Sequence, residues 1–293
     1  MSTSAASTSV DLSRLPPPVL VEQLTFDAIV ADMVVALKRY WPAFDATIDD
    51  EPLMLLLQAL AYRELLKRAE YNDRARQQLV AFATGGNLDH LGALVGVARL
   101  QLSADPLVME SDDALRQRIV LAPEGFSVAG PELAYVAHAK SADADVLDAS
   151  ASSPAPGEVL VTVLARSGNG TASAELLAKV KARVAARDVR PMGDLVTVAS
   201  ATIRPFAVDA TLYTFAGPDR ELLLKTARTD LDTYLADCRR LGRDVTLSGL
   251  YAALTVPGIQ RVELASPTAT IVCDATQTAH CTAVTIAHGG YDD

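Results

Sequence analysis

The sequence predicts an α+β protein: an N-terminal helical region followed by two small α+β modules, each a strand-helix-strand unit with a mixed sheet. Three observations carry this. From Thr25 to about Lys140 the apolar residues recur mainly at helical spacing. From Glu158 onward, β-branched runs alternate with amphipathic helical stretches. The chain has 293 residues, half of them apolar, enough to bury more than one core. The expected division is a flexible arm (1–18), a mainly helical region (19–153), a central α+β module (154–204) and a C-terminal α+β module (205–293).

The arm is Ser, Thr and Ala followed by three prolines, a composition that buries too little to order itself and favours an extended path. Ile29, Met33 and Leu37 then recur every four residues, and Pro42 closes a helix from Thr25 to Tyr40. Asp50 is a suitable N-cap and Pro52 fits a first turn, so a second helix is expected from there to Ala83, where Gly85 and Gly86 stop it. Leu53, Leu56, Leu57, Leu60 and Leu65 form its apolar stripe. Its second half, KRAEYNDRARQQ (67–78), has no aliphatic side chain larger than alanine and carries Glu64/Arg68 and Glu70/Arg74 at i,i+4 spacing. Such a stretch is either a solvated face or a helix that crosses between domains or docks on another chain, with Arg68, Tyr71 and Arg74 as contact residues. Asn87 and Ser111 are expected to cap two short helices, and Gly130-Pro131 to open another that runs to about Lys140. The Ser, Ala and Pro segment near residue 153 reads as a domain boundary.

EVLVTVLA (158–165) is apolar on both faces, as a central strand requires. SGNG turns the chain, Leu177, Val180 and Val184 mark a helix, and DLVTVASATI (194–203) a second long strand. Phe206, Val208, Ala210 and Leu212 alternate as a strand, followed by the helical stripe Leu224, Ala227, Leu231 and Tyr234. In GRDVTLSGLYAALTVPGIQRVEL (242–264), Ser248 is read as the N-cap of a short helix, Pro257-Gly258 as a turn and IQRVEL as the returning strand. Residues 158–203 and 206–264 thus follow similar logic, a structural repeat without repeated identities.

A formal charge of −10, from 36 acidic and 26 basic residues, argues against nucleic acid as a partner. No run of about 18 apolar residues exists to span a membrane, and the N-terminus lacks the basic and apolar segments of a secretion signal. Three cysteines, Cys238, Cys273 and Cys281, are no disulfide framework and suit a reducing compartment. Aromatic residues make up 5%, which disfavours an aromatic-lined ligand pocket.

The candidate chemistry is weak. Ser127 in GFSVAG fails the G-x-S-x-G spacing of a nucleophile elbow. SGNG lacks the lysine of a phosphate-binding loop. Cys273, His280, Cys281 and His288 have zinc-ligand identities, but their C-x6-H-C-x6-H spacing fits no structural zinc class. His90 has no second histidine or cysteine nearby in sequence. Asp49, Asp50 and Glu51 lack calcium-loop spacing, and helix capping explains them. No catalytic residue, cofactor or metal is expected, so the residues point to a structural or interaction protein rather than an enzyme.

DLSRLPPPVLVEQLTFDAIVADM, AYRELL, NLDHLGALVGVARL, ESDDALRQRI, EGFSVAGPELAYVAHAK, RPMGDLVTV and RLGRDVTLSGLYAALTVPGIQRVELASP resemble, in order, the baseplate J proteins of contractile-tailed phages and phage-tail-like bacteriocins. The resemblance covers nearly all of residues 11–290. It implies a virion or tail-particle baseplate protein assembled in a bacterial cytoplasm, forming clamp-like dimers within each wedge. These would join wedges into a ring around the central spike, and rearrangement of the ring would release sheath contraction. The implied partners are other wedge proteins, further copies of itself, the hub or spike, and tail fibre attachment proteins. In the family the helical region bundles with wedge proteins, and the C-terminal α+β region makes contacts between copies. On that basis Leu250 and Tyr251 are expected near the surface that meets another copy, where charged substitutions should block ring assembly and leave the fold intact. The alternatives are a metal-dependent or hydrolytic tail accessory protein, and an assembly chaperone absent from the mature particle.

Overall fold

The computed structural model describes residues 12, 15–20, 22, 24–45, 51–127, 130–216 and 219–291. It is α+β, with helices first and strand-containing modules after them. The contacts divide it into two units, Ser9–Arg99 with Ser111–Ile119, and Leu100–Glu110 with Val120–Asp293. The expected arm and Asp50 cap fall mostly outside the described residues.

In the first unit, α1 (Phe26–Tyr40) begins where the Thr25 hydroxyl accepts from Ala28 N at 3.2 Å. Its apolar face meets α2 (Pro52–Arg76) around Phe44, Met54 and Leu57, with Met33 and Leu37 packed alongside. α2 is shorter than expected. Beyond Arg76 the chain turns, because Arg116 donates Nε to the Val80 carbonyl and Nη2 to that of Ala83, both at 2.8 Å. Those bonds satisfy carbonyls of the turn segment that follows the helix, which would otherwise go without a protein partner among the described residues. α3 (Gly85–Leu94) starts before Asn87, whose amide is turned to Gln77, while the Asp112 carboxylate accepts from Gly85 N at 3.1 Å. α4 (Asp112–Leu121) does use its expected cap, the Ser111 hydroxyl accepting from Ala114 N.

The second unit opens with a hairpin not expected from sequence, β1 (Gln101–Ala104) and β2 (Leu107–Met109). A 3-10 turn (Ala122–Phe126) and α5 (Glu132–Lys140) lead into β3 (Val146–Ser152), β4 (Glu158–Ala165), α6 (Ala174–Val184) and β5 (Leu195–Ser200). The sheet order is β3-β4-β5, with β4 antiparallel to β3 and parallel to β5. β4 is central, and Val161, Val163, Leu164 and Ala165 on it are fully buried. The segment near residue 153 is the loop between paired strands β3 and β4, so the boundary expected there falls inside one sheet. Its Pro and Ser residues serve a hairpin turn, a local pattern shared with linkers.

The expected strand 194–203 breaks at Ala201. Ala201 N donates to Val163 O of the first sheet at 2.8 Å, and Thr202 N donates to Thr276 O of the next at 2.9 Å. The chain therefore changes sheets within two residues. The second sheet contains β6 (Thr202–Thr214), β7 (Ile259–Ser266) and β8 (Gln277–Tyr291), in the order β7-β6-β8. β6 is antiparallel to β7 and parallel to β8. α7 (Arg220–Cys238) and α8 (Leu247–Leu254) pack into its core through Ala227, Leu231, Leu250 and Leu254. Both sheets thus have a central strand with one antiparallel and one parallel neighbour, reached by different chain paths. The cap of α8 is Thr246, whose hydroxyl accepts from Gly249 N at 3.1 Å, rather than Ser248.

Candidate interaction surfaces

The polar half of α2 is partly occupied by its own chain. Asn72, only 1% exposed, accepts from Leu20 N at 3.0 Å through its side-chain oxygen. Arg68 pairs with Glu64 at 2.9 Å and donates Nη1 to the Glu22 carbonyl at 3.1 Å. These two residues tie Leu20 and Glu22 to the helix, so Arg68 has a structural role. Tyr71 is exposed, and Arg74, paired with Glu70, is also open to solvent. Asn72 was not singled out from sequence. The only available signal was an amide in a run otherwise dominated by charge.

The other face of α2 is apolar and open. Leu55, Leu56, Leu60, Tyr62 and Leu66 are each between 48% and 55% exposed. The expected stripe therefore splits: Leu53, Leu57 and Leu65 turn inward, while Leu56 and Leu60 turn outward. At about 100° per residue, Leu56 and Leu60 lie a quarter turn from the α1-facing row, too far round to reach it.

The glycine and charged residues at 239–245 form a joint between the two sheets. Arg239 donates Nη2 to the carbonyls of Arg166 and Gly168, at 3.2 and 2.8 Å. Leu241 N donates to the Asp148 carboxylate at 3.1 Å, Gly242 N to Gln277 O at 3.1 Å, and Cys273 N to the Asp244 carboxylate at 2.8 Å. The SGNG loop is the other side of this joint. Gly170 has φ +105°, and a Cβ there would lie 2.6 Å from Leu164 Cδ1. Its glycines serve a tight packing turn rather than a phosphate cradle.

Leu250 and Tyr251 separate. Leu250 is fully buried among Leu231 and Leu254, so a charge there cannot leave the fold intact, contrary to expectation. Tyr251 is 40% exposed and presents part of its ring outward.

The remaining candidates do not converge. Ser127 follows the 3-10 turn, outside any strand. His280 and His288 stand eight residues apart on one strand, a separation of about 26 Å at about 3.3 Å per residue, while zinc ligands lie about 2 Å from their ion. Among the described residues no three His, Cys, Asp or Glu side chains gather as a metal site. Burial pushes the Cys273 and Cys281 thiols up, which favours the protonated thiol over the thiolate that metals and nucleophilic chemistry need. His90 is exposed. Asp49 and Asp50 lie outside the described residues. Among those described, no helix is long and apolar enough to cross a membrane.

Two titrating groups are tuned by structure. Asp112 is held below the usual carboxylate range by the Gly85 N–H and by Arg99, whose guanidinium also reaches Asp89. Tyr135 is pushed well up by burial and by its hydrogen bond to Asp194 at 2.7 Å.

Three domain families match the chain in order. The Baseplate J-like N-terminal domain covers residues 49–105, the Baseplate J-like central domain 127–200 and the Baseplate J-like protein C-terminal domain 206–287. The chain belongs to the baseplate J-like family. Baseplate protein J of Escherichia phage P2 is 44% identical over 299 residues, covering 97% of this chain and 99% of that one. A chain of the anti-feeding prophage baseplate, from a six-fold symmetrised cryo-EM structure, has a TM-score of 0.38 and 14% identity. That match spans 59% of this chain and 42% of the other, too distant a likeness to carry structural detail. The baseplate J-like central domain begins before α5 and β3, in keeping with the pairing of β3 to β4.

Proposed function

We propose that the chain is a non-enzymatic structural component of a contractile-tail baseplate wedge. The observation that carries this is the 44% identity to a protein named baseplate protein J, over nearly the full length of both chains. In this reading, copies form clamp-like dimers that join wedges into a ring around the central spike, and the ring rearranges to trigger sheath contraction. Its partners are other wedge proteins, further copies of the chain, the hub or spike, and tail fibre attachment proteins, without nucleic acid or membrane. The half-exposed apolar side chains on α2 support a docking role for the helical region, since several large apolar groups left open on one element mark interaction sites. Arg74, Tyr71 and Tyr251 remain contact proposals, and the direct joint between the two sheets suits a part that transmits a rearrangement. The test is deletion of the coding sequence from a tail-producing genome with complementation by the wild-type gene. Assembly should stop before sheathed tails form and be restored by complementation; complete contractile tails in the deletion strain would overturn the reading.

A further inference from the structure

The sheet order β7-β6-β8 leaves one edge of β8 without a strand partner among the described residues. β8 is 15 residues long and contains no Asp, Glu, Lys, Arg or Pro. Exposed edges are ordinarily blunted by charge or proline, and the opposite edge of the same sheet is, since β7 carries Arg261 and Glu263. The bare edge also has a groove beside it. A cavity of about 490 Å³ lies between α7 and β8, lined by Arg166, Arg228, Arg239 and His280. A second of about 480 Å³ shares Arg228 and Val284 with it and adds Lys225 and Ile286. Asp232 is the acidic group on these walls, and Arg228 already holds both its oxygens at 3.0 Å. Arg239 Nε is closed off from solvent with no acceptor. A chain of net charge −10 has thus gathered basic side chains along an uncharged strand edge.

We propose that this edge and groove receive an extended acidic segment of another baseplate protein, added to the sheet as a fourth strand beside β8. Main-chain bonds to the β8 edge hold the segment, and the groove selects carboxylates at alternate positions. Arg228 donates Nη1 to the Val284 carbonyl at 3.3 Å, a contact that an incoming N–H can take over. Val284 and Ile286, half-buried at the edge, gain cover. A second copy is the poorer occupant, because a two-fold pairing of β8 with itself brings two copies of the same basic groove together.

The proposal rests on the baseplate reading, and its test separates the two. Hydrogen exchange of the full-length chain is compared between the purified protein and intact tail particles, alongside incorporation of the variant Lys225→Glu/Arg228→Glu. In particles the amides of residues 283–288 should slow by about tenfold or more. The charge-reversed chain should melt like wild type and enter particles about tenfold less. If its melting temperature falls, Ala287→Lys, which puts a charge on the exposed strand at a position that lines neither cavity, should give the same assembly defect. Unchanged β8 exchange in particles that contain the chain, or normal incorporation of a folded variant, overturns the proposal. So does β8 protection in the purified chain that rises with its concentration, which would identify a second copy as the occupant. Particles lacking the chain would overturn the baseplate reading and this proposal with it.

Discussion

At the scale of single residues, Leu250 and Tyr251 are sequence neighbours with opposite environments. Leu250→Asp should destabilise the C-terminal module by about 4 kcal/mol or more, since it removes a buried side chain and buries a charge. Tyr251→Asp should cost about 1 kcal/mol or less and act on assembly instead. Thermal melts of the two variants, with a particle incorporation assay for the second, distinguish these outcomes. Asp112 gives a pH test. Its folded pKa lies below the ordinary carboxylate value of 3.8, so its contribution is present above that value and is lost as pH falls through the folded pKa. Asp112→Ala should cost about 2 kcal/mol at pH 7, by removing charge-assisted bonds to Gly85 N and Arg99, and the gap to wild type should narrow by pH 3. Melts at the two pH values check this. Residue roles were legible where they depended on neighbours in sequence, as with the Ser111 cap. They were not legible where the partner is remote: Asn72 is buried by a bond to Leu20, and Leu250 is inside because α8 packs against α7.

At the scale of elements, helical periodicity placed α1, α6 and α7 closely, because each has one apolar face and a local start signal. α2 was overextended because Gln77–Ala83 is compatible with helix by propensity, and the bonds that end it come from Arg116 in α4. β8 is the longest strand, yet small residues, Thr and Ala, give it weak alternation. Its register with β6 slips at two places, which blurs the two-residue period further. The joint at 239–245 also required the fold, since its acceptors lie about seventy residues away in sequence. Arg239→Ala should remove both bonds, to the Arg166 carbonyl and to that of Gly168 in the SGNG loop, and destabilise the chain by about 2 kcal/mol. Hydrogen exchange should then rise in residues 166–170 and 239–245, with the α1–α2 pair unaffected.

At the scale of the whole molecule, the α+β class and the order of helices before strand modules followed from composition and periodicity. The residue chemistry narrowed function no further than a structural or interaction role, and the resemblance to the baseplate J family supplied the rest. The physical reason is that docking surfaces have no fixed spacing of reactive groups. They are apolar rows, bare strand edges and charge placement, which become visible only once the fold sets what is inside. The central claim is that this chain is a building part of a tail baseplate. The measurement that tests it most directly is mass spectrometry of purified intact tail particles, combined with labelled-antibody electron microscopy of the same particles. The chain should be present at the distal end, in about twice the amount of single-copy wedge proteins as clamp-like dimers require. Its absence from complete particles, or its location away from the baseplate, would contradict the account.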